Sequence, residues 1–235
     1  MNAAAPGFLG VLMLDTRFPR PPGDVGHPQT YARAGIPVRF LTVEGASPRR
    51  IVEEADPRLV QPFVDAAVRL AAQGASMITT SCGFLAAYQD VLSQAVPVPV
   101  LTSSLLQVRH CAQPGIVTFD AQSLTPQILQ AAGVPAGTPV MGVRPGCEFH
   151  RRILNNDTVL DLAEAQRNVV EAAVRLVQAF PSVERIVLEC TNMPPYREAV
   201  AAAVGREVHD IETMILKAWR DNRPTPRQRA LAQGT

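Results

Sequence analysis

Two cysteines stand at positions where a thiol can carry out acid–base chemistry. Cys82 follows the stretch MITTS, Cys190 follows IVLE, and each is succeeded by residues that can start a helix. A thiol at a helix N-terminus faces unpaired backbone N–H groups and the positive end of the helix dipole, which stabilise its thiolate. Two such thiols predict a base on either side of a small anion. That arrangement suits the removal of a proton from one face of a carbon and its return on the other.

The alternative interpretation of each cysteine is a small buried hydrophobic residue, the common fate of a free cysteine. Two cysteines in matching settings favour a site. Of the other two, Cys111 lies in the helical run 105–112 and is interpreted as a core residue. Cys147, in the loop RPGCE, can belong either to the core or to the site.

Short apolar runs alternate with amphipathic segments, which is typical of parallel sheets covered by helices. The clearest helices are predicted over 57–73, with Asp56 as N-cap and Pro57 at the first helical position, and over 160–180. Strands are predicted over 8–14, 38–43, 76–80, 98–101, 115–119, 139–143, 185–189 and 207–209.

The order strand, long helix, strand, cysteine occurs around Cys82 and again around Cys190. We therefore predict an α/β fold of two similar lobes, each with a parallel-type sheet flanked by helices, and an active site in the cleft between them. The first lobe is expected to comprise residues 1–104 plus 206–235, and the second residues 105–205. The long loop 16–35 follows the carboxyl end of a strand, where ligands of parallel sheets commonly bind.

Composition narrows the class of protein further. The 235 residues carry a formal net charge of +1, with 47% hydrophobic and 18% charged residues, so we expect a globular protein that does not bind nucleic acid. The apolar stretch 8–14 is shorter than the roughly 20 residues that span a membrane, and it lacks the features of a signal peptide. We therefore expect a cytoplasmic protein with no membrane partner.

No Cys/His pattern predicts a metal site. The basic tail 220–229 is interpreted as solvated.

Three segments resemble the aspartate/glutamate/hydantoin racemase superfamily. CTNMP, starting at Cys190, is similar to the C-T-H-F-P motif around the second catalytic cysteine of glutamate racemases. TTSC, ending at Cys82, resembles the first-cysteine region, and GVLMLDT, ending at Thr16, resembles the opening strand with its acid–hydroxyl pair. The matches come in the right order through nearly the whole chain. The resemblance implies two α/β lobes, no cofactor, a small carboxylate substrate, a homodimer, and inversion of a carbon by two cysteines.

Two carboxylates are candidates to assist the thiols. Asp15 ends the first strand and is expected to lie near Cys82. Glu148 resembles the glutamate that supports the second cysteine in glutamate racemases. From the residues alone, Asp15 could also be a turn or N-cap acid, and Glu148 a solvated loop charge.

A carboxylate substrate also needs hydrogen-bond donors. Side chains and backbone N–H groups around the cysteines are expected to form anion-binding cups, at Ser81, Gly83, Thr191 and Asn192. Arg17 is a candidate for a bidentate contact or, alternatively, a solvent-facing arginine. Thr16 and Thr118, at two strand ends, are further candidates for substrate binding.

The chain departs from glutamate racemases at the motifs themselves. Asn192 stands where C-T-H-F-P has histidine, and Gly83-Phe84 replaces the Asn-Thr that follows the first cysteine. A substrate other than glutamate is therefore expected. The leading hypothesis is a cofactor-independent racemase or epimerase of an α-substituted carboxylate. The alternatives are a decarboxylase or a maleate-type cis–trans isomerase of the same fold, and a non-catalytic protein that binds small acids.

Overall fold

The computed structural model describes residues 7–222, which form two parallel four-stranded sheets and the helices that cover them. The strands are β1 (Phe8–Leu14), β2 (Val38–Val43), β3 (Ala75–Thr80), β4 (Val100–Leu101), β5 (Pro114–Thr118), β6 (Val140–Gly142), β7 (Arg185–Leu188) and β8 (Glu207–His209). The α-helices are α1 (Gln29–Ala32), α2 (Pro48–Val52), α3 (Val60–Ala72), α4 (Gln89–Ala95), α5 (Pro126–Ala131), α6 (Glu148–Leu154), α7 (Leu162–Ala179), α8 (Arg197–Val204) and α9 (Ile211–Asp221). Single 3₁₀ segments occupy Pro57–Leu59, Gly83–Tyr88, Ser104–His110 and Pro194–Tyr196.

The two sheets have the same strand order. The first is β2-β1-β3-β4 and the second β6-β5-β7-β8, with every pair parallel. The predicted fold class, two similar α/β lobes with parallel sheets flanked by helices, is confirmed. β3 and β7 hold the equivalent third position in their sheets, so the segments that follow them are also equivalent.

Helix α3 shows how local sequence sets these elements. The Asp56 carboxylate accepts from the Arg58 N–H, and Pro57 opens a 3₁₀ turn that leads into the helix. Phe63, Ala66, Ala67 and Leu70 then recur at helical spacing and are buried. The helix ends before Gly74, whose φ of +93° is accessible to glycine and strained for other residues. This single apolar face holds α3 against the first sheet.

The segment 207–219 divides between the lobes, which corrects our expectation that all of it returns to the first. β8 pairs with β7 in the second sheet, with Ile186 opposite Val208. Gly205 ends α8 in the left-handed conformation, and a linker this short leaves the chain beside β7. Only α9 crosses over, and Ile211 and Ile215 are buried among first-sheet residues such as Leu9. The division of the chain near residue 104 stays a prediction.

Two further expectations concern contact with a membrane and the C-terminal tail. Within residues 7–222, none of the helices has the length and apolar content needed to cross a membrane. Most of the tail 220–229, which we interpret as solvated, lies outside the described residues.

The crossing of α9 depends on a buried N-cap, and this generates a prediction about stability. Asp210 is fully buried, accepts from the Thr213 N–H at 2.8 Å, and pairs with Arg197 at 2.6 Å. Asp210→Ala is expected to lower the free energy of unfolding by about 2–3 kcal/mol, because both a cap and a charge-assisted bond are lost. Asp161→Ala removes an exposed N-cap from α7 and should cost only about 1 kcal/mol. Urea unfolding measures both losses, and equal losses would contradict the assignment.

Candidate active site

Cys82 lies directly beyond the carboxyl end of β3. Its backbone is extended, it is the N-cap of the 3₁₀ segment Gly83–Tyr88, and it is buried. Its N–H donates to Thr80 Oγ1 at 3.4 Å, which fixes the turn. The N–H groups of Phe84 and Leu85 favour the thiolate of this cysteine. The expected setting, a thiol at a strand end facing backbone N–H groups, is therefore present.

Cys190 lies at the equivalent position beyond β7 and is also buried. Its Sγ donates to Asn192 Oδ1 at 3.6 Å, and Asn192 Nδ2 donates to Asp24 Oδ2 at 2.6 Å. Asp24 is in turn paired with Arg20 at 2.8 Å. Asn192, in the place of the histidine of C-T-H-F-P, thus orients Cys190 through a chain of hydrogen bonds that reaches the loop after β1.

Both cysteines line one cavity between the lobes. The cavity leaves room for about one water molecule, about 20 Å³. Its walls are mostly apolar, and its polar groups are clustered around the two thiols; the lining residues are Leu14, Pro48, Val52, Ser81, Cys82, Gly83, Phe84, Phe119, Ile153, Glu189, Cys190, Thr191 and Asn192. The space between the two thiols is therefore narrow.

Glu189 is the residue that our sequence analysis missed. It immediately precedes Cys190, is fully buried and lines the cavity. Its Oε2 accepts from Thr118 Oγ1 at 2.8 Å and from the Phe119 N–H at 3.4 Å. Oε1 has no hydrogen-bond partner among the described residues. The sequence carried a signal, because a glutamate ends the apolar run IVL where the strand is still buried.

Burial governs the protonation of all three central groups. Desolvation, followed by the negative charge of Glu189, raises the pKa of Cys82 to about 12, although backbone N–H groups oppose the shift. The same two causes raise the pKa of Cys190 well above its usual value. Desolvation also raises the pKa of Glu189 to about 7. The helix-end donors alone therefore do not make either thiol a thiolate in the closed cavity.

Four of the predicted substrate-binding residues lie in the cavity wall: Ser81, Gly83, Thr191 and Asn192. Ser81 Oγ accepts from the Leu14 N–H at 2.8 Å, and Thr191 Oγ1 donates to the Ser81 carbonyl at 2.7 Å. Thr118 does not line the cavity, but it holds Glu189. Their roles in binding a substrate stay predictions.

Asp15 and Glu148 do not lie where we expected them. Asp15 is exposed, and its carboxylate accepts from the Gly45 N–H at 3.1 Å, so it does not line the cavity with Cys82. Glu148, in the first turn of α6, binds Arg151 at 2.8 Å and Arg152 at 3.0 Å, and also accepts from the Asp161 N–H. These contacts hold it outside the cavity wall. Glu189 is the carboxylate that the structure brings to the thiols.

Arg17 and Thr16 are also placed outside the cavity wall. The Arg17 side chain is exposed, and its backbone N–H donates to Asn156 Oδ1 at 2.6 Å. Asn156 Nδ2 donates to the Asp15 carbonyl at 3.2 Å, so one side chain of the second lobe holds the backbone after β1. Thr16 Oγ1 accepts from Arg20 at 2.9 Å. Neither Arg17 nor Thr16 is among the residues that line the cavity.

The other cysteines and possible metal ligands lie elsewhere. Cys111 lines a separate groove of about 820 Å³ beside α9, which shares no lining residue with the cavity. Cys147 caps α6 and is half-buried. In the part of the chain that the structure describes, no three His, Cys, Asp or Glu side chains are grouped to hold a metal ion.

Comparison with solved structures defines the class of fold. A double mutant of arylmalonate decarboxylase in its liganded form is similar with a TM-score of 0.61 and 18% identity, over 92% of each chain. A glutamate racemase isoform from Bacillus anthracis has a TM-score of 0.59 and 16% identity, over 92% of this chain and 80% of that one. A putative Asp/Glu racemase from Yersinia pestis has a TM-score of 0.57 and 14% identity, over 92% and 98%. The chain has the aspartate/glutamate racemase fold.

Comparison with curated sequences identifies the family. No family model matches the chain. Dimethylsulfoniopropionate lyase 7 of Emiliania huxleyi is 31% identical over 237 aligned positions, which cover 91% of this chain and 67% of the relative. The dimethylsulfoniopropionate lyase of Durusdinium sp. clade D is 30% identical over 218 positions, covering 86% and 70%. The chain belongs to the dimethylsulfoniopropionate lyase family. Its relatives and structural neighbours are named as enzymes, and these closer relatives are named as lyases rather than isomerases.

The contact between Gly83 and Glu189 generates a prediction. A Cβ at position 83 would collide with Glu189 Oε1 and with the Glu189 carbonyl oxygen. Gly83→Ala is expected to lower the free energy of unfolding by about 1–3 kcal/mol, because relief of the clash requires both the side chain and the backbone of the buried Glu189 to shift. In Gly10→Ala the shortest contact of the new methyl is 2.9 Å, to Leu70 Cδ1, and no backbone atom is among its nearest contacts, so a smaller loss is expected. Thermal unfolding of the two variants checks the order.

Proposed function

We propose that this protein is a lyase that expels a neutral sulfide from a β-sulfonio carboxylate, with dimethylsulfoniopropionate as the substrate. The observation that carries the proposal is that Cys82 and Cys190 line one closed cavity in a chain about 30% identical to lyases named for that compound. Racemisation and this elimination share one requirement, a base beside the carbon next to a carboxylate.

The elimination balances without a cofactor. A thiolate takes a proton from the carbon next to the carboxylate, and the electron pair of that C–H bond becomes the second bond between the two methylene carbons. The bond from the β-carbon to sulfur breaks, and its electrons leave with dimethyl sulfide. The products are acrylate, dimethyl sulfide and a protonated cysteine. The leaving group is neutral, so no acid is needed to protonate it.

The apolar, closed cavity supports this chemistry. The proton next to a carboxylate is weakly acidic, so its base must be near, oriented and free of water. Cys82 and Cys190 are both largely removed from solvent, at 8% exposure. A cation brought by the substrate would lower the pKa of a nearby thiol and so oppose the effect of burial.

A second candidate function is racemisation at the carbon next to the carboxylate. The presence of two thiols on one cavity favours it, because a racemase needs a base on each face. Decarboxylation is less favoured, since arylmalonate decarboxylase-like proteins retain only one of the two cysteines. The three reactions can be separated in one assay. The elimination releases dimethyl sulfide, decarboxylation releases carbon dioxide, and racemisation releases neither.

The test is incubation of the full chain with dimethylsulfoniopropionate in heavy water. Headspace gas chromatography measures dimethyl sulfide, and proton NMR measures acrylate. Parallel incubations contain aspartate, glutamate and an arylmalonate. Release of equal amounts of sulfide and acrylate supports the proposal. Exchange of the α-proton of an amino acid without sulfide release supports racemisation and overturns the lyase assignment, as does loss of carbon dioxide from the malonate alone.

Substitution of the two thiols should abolish the reaction. At least one of Cys82→Ala and Cys190→Ala is expected to lower kcat by at least about 100-fold, because both thiols line the cavity and the elimination needs one of them as its base. Cys111→Ala, in the separate groove, should leave kcat within about two-fold of the parent. Sulfide release by the three variants is the measurement. Activity that survives in both cavity variants would rule out a cysteine base.

The raised thiol pKa values predict the pH dependence. Desolvation raises the pKa of Cys82 to about 12 and raises that of Cys190, so in the free enzyme the thiolate fraction grows as the pH rises. Since kcat/KM reports on groups of the free enzyme, it should increase between pH 7 and pH 9, up to about ten-fold per pH unit below the thiol pKa. Initial rates of sulfide release at low substrate concentration check this slope. A decline of kcat/KM over that range would contradict a thiolate base.

A further inference from the structure

Glu189 has an oxygen whose partner is missing from the protein. The side chain is fully buried, and Oε2 is held by Thr118 Oγ1 at 2.8 Å and the Phe119 N–H at 3.4 Å. Oε1 has no hydrogen-bond partner among the described residues, although it lies against Gly83 in the wall of the cavity. A buried polar atom left in this way calls for an explanation.

No positive charge of the described chain compensates this carboxylate. None of the ion pairs found in residues 7–222 includes Glu189, and the charged neighbour that acts on it, Asp120, is itself negative. The polar side chains that share the cavity with it carry no positive charge; they are Ser81, Cys82, Cys190, Thr191 and Asn192. A buried carboxylate in such surroundings is protonated, hydrogen-bonded to a buried water molecule, or paired with a cation from outside.

The rest of the cavity wall suits a cation that donates no hydrogen bonds. Phe84 and Phe119 line it, and aromatic rings attract cations at their faces, of which Phe119 has one covered by the stacked ring of His150 at 4.9 Å. Leu14, Val52 and Ile153 add apolar surface for methyl groups. A methylated onium group needs only a counter-charge and apolar contact, which Glu189 Oε1 and these side chains can supply.

We propose that Glu189 is the counter-anion for the onium group of the substrate, with Oε1 facing the cation and Thr118 holding the carboxylate in place. This inference rests on the proposed function for the identity of the cation, a dimethylsulfonium group. It assigns Glu189 to substrate selection: the site takes a zwitterion that carries a methylated cation and disfavours a carboxylate of the same shape without the charge.

The test compares two ligands of one shape. 3-(Trimethylammonio)propanoate carries a methylated cation and has a poor leaving group, and 4,4-dimethylpentanoate replaces its nitrogen with carbon. Isothermal titration calorimetry at pH 8 should show at least ten-fold tighter binding of the cationic ligand. In Glu189→Gln that preference should fall below about two-fold, with little change for the neutral ligand. Glu148→Gln removes a carboxylate outside the cavity and should retain the preference. A preference that survives Glu189→Gln overturns the inference.

A measurement on the unmodified protein tests the inference without relying on the folding of Glu189→Gln. Burial raises the pKa of Glu189 to about 7, and only the carboxylate attracts a cation. The preference for the cationic ligand should therefore grow about ten-fold per pH unit below this pKa and level off above it. The other titratable groups around it are Asp120, Cys82 and Cys190, whose raised pKa values place the two thiols above this range, and His150, whose ring stacks on Phe119 at 4.9 Å. His150→Gln should leave the pH dependence in place; a preference independent of pH overturns the inference.

Kinetics separate this inference from the proposed function. If the protein releases dimethyl sulfide, Glu189→Gln should raise KM at least ten-fold with a smaller change in kcat. A fall in kcat at unchanged KM would assign Glu189 to proton transfer and overturn its role as counter-anion. If no sulfide is released but the cationic ligand binds in a Glu189-dependent way, the lyase assignment fails while the counter-anion assignment stands.

Discussion

The hydrogen bond from Thr191 Oγ1 to the Ser81 carbonyl joins the two lobes between their cysteines. Both residues are buried, and each is adjacent in sequence to a cysteine at the end of a central strand. Ser104 Oγ adds a second contact to the Leu188 carbonyl at 2.7 Å. Because these bonds tie the segments after β3 and β4 to the end of β7, the two thiols share a cavity instead of facing solvent from separate lobes.

The fold and the cysteine pair could be read from the sequence because their signals are local. Apolar runs and helix faces determine the elements, and a strand followed by a helix start determines where Cys82 and Cys190 point. The sequence could not place β8, since a strand of three residues has almost no periodicity, and only the short linker from α8 commits it to the second sheet. Its position depends on chain geometry rather than on residue type.

The positions of the carboxylates in the site could not be predicted from local sequence either. Asp15 and Glu148 stand at suitable places in the sequence, but Gly45 and a pair of arginines bind them elsewhere. Glu189 follows a buried strand, and whether a strand-end charge turns inward depends on partners far along the chain. Here those partners are Thr118 and the Phe119 N–H, which come from a different strand. Such long-range contacts are not visible in a sequence pattern.

The equal strand order of the two sheets also carries a stereochemical consequence. A rotation that exchanges the lobes would place Cys82 on Cys190, but it would place Ser81 on Glu189, because these are the residues that precede the two cysteines. This difference gives one side of the cavity a carboxylate where the other side has a hydroxyl. A substrate whose cation lies at Glu189 therefore cannot bind equally in two opposite directions. Of the two hydrogens on its α-methylene, which are mirror-related and chemically alike in water, such a handed cavity presents only one to a given thiol.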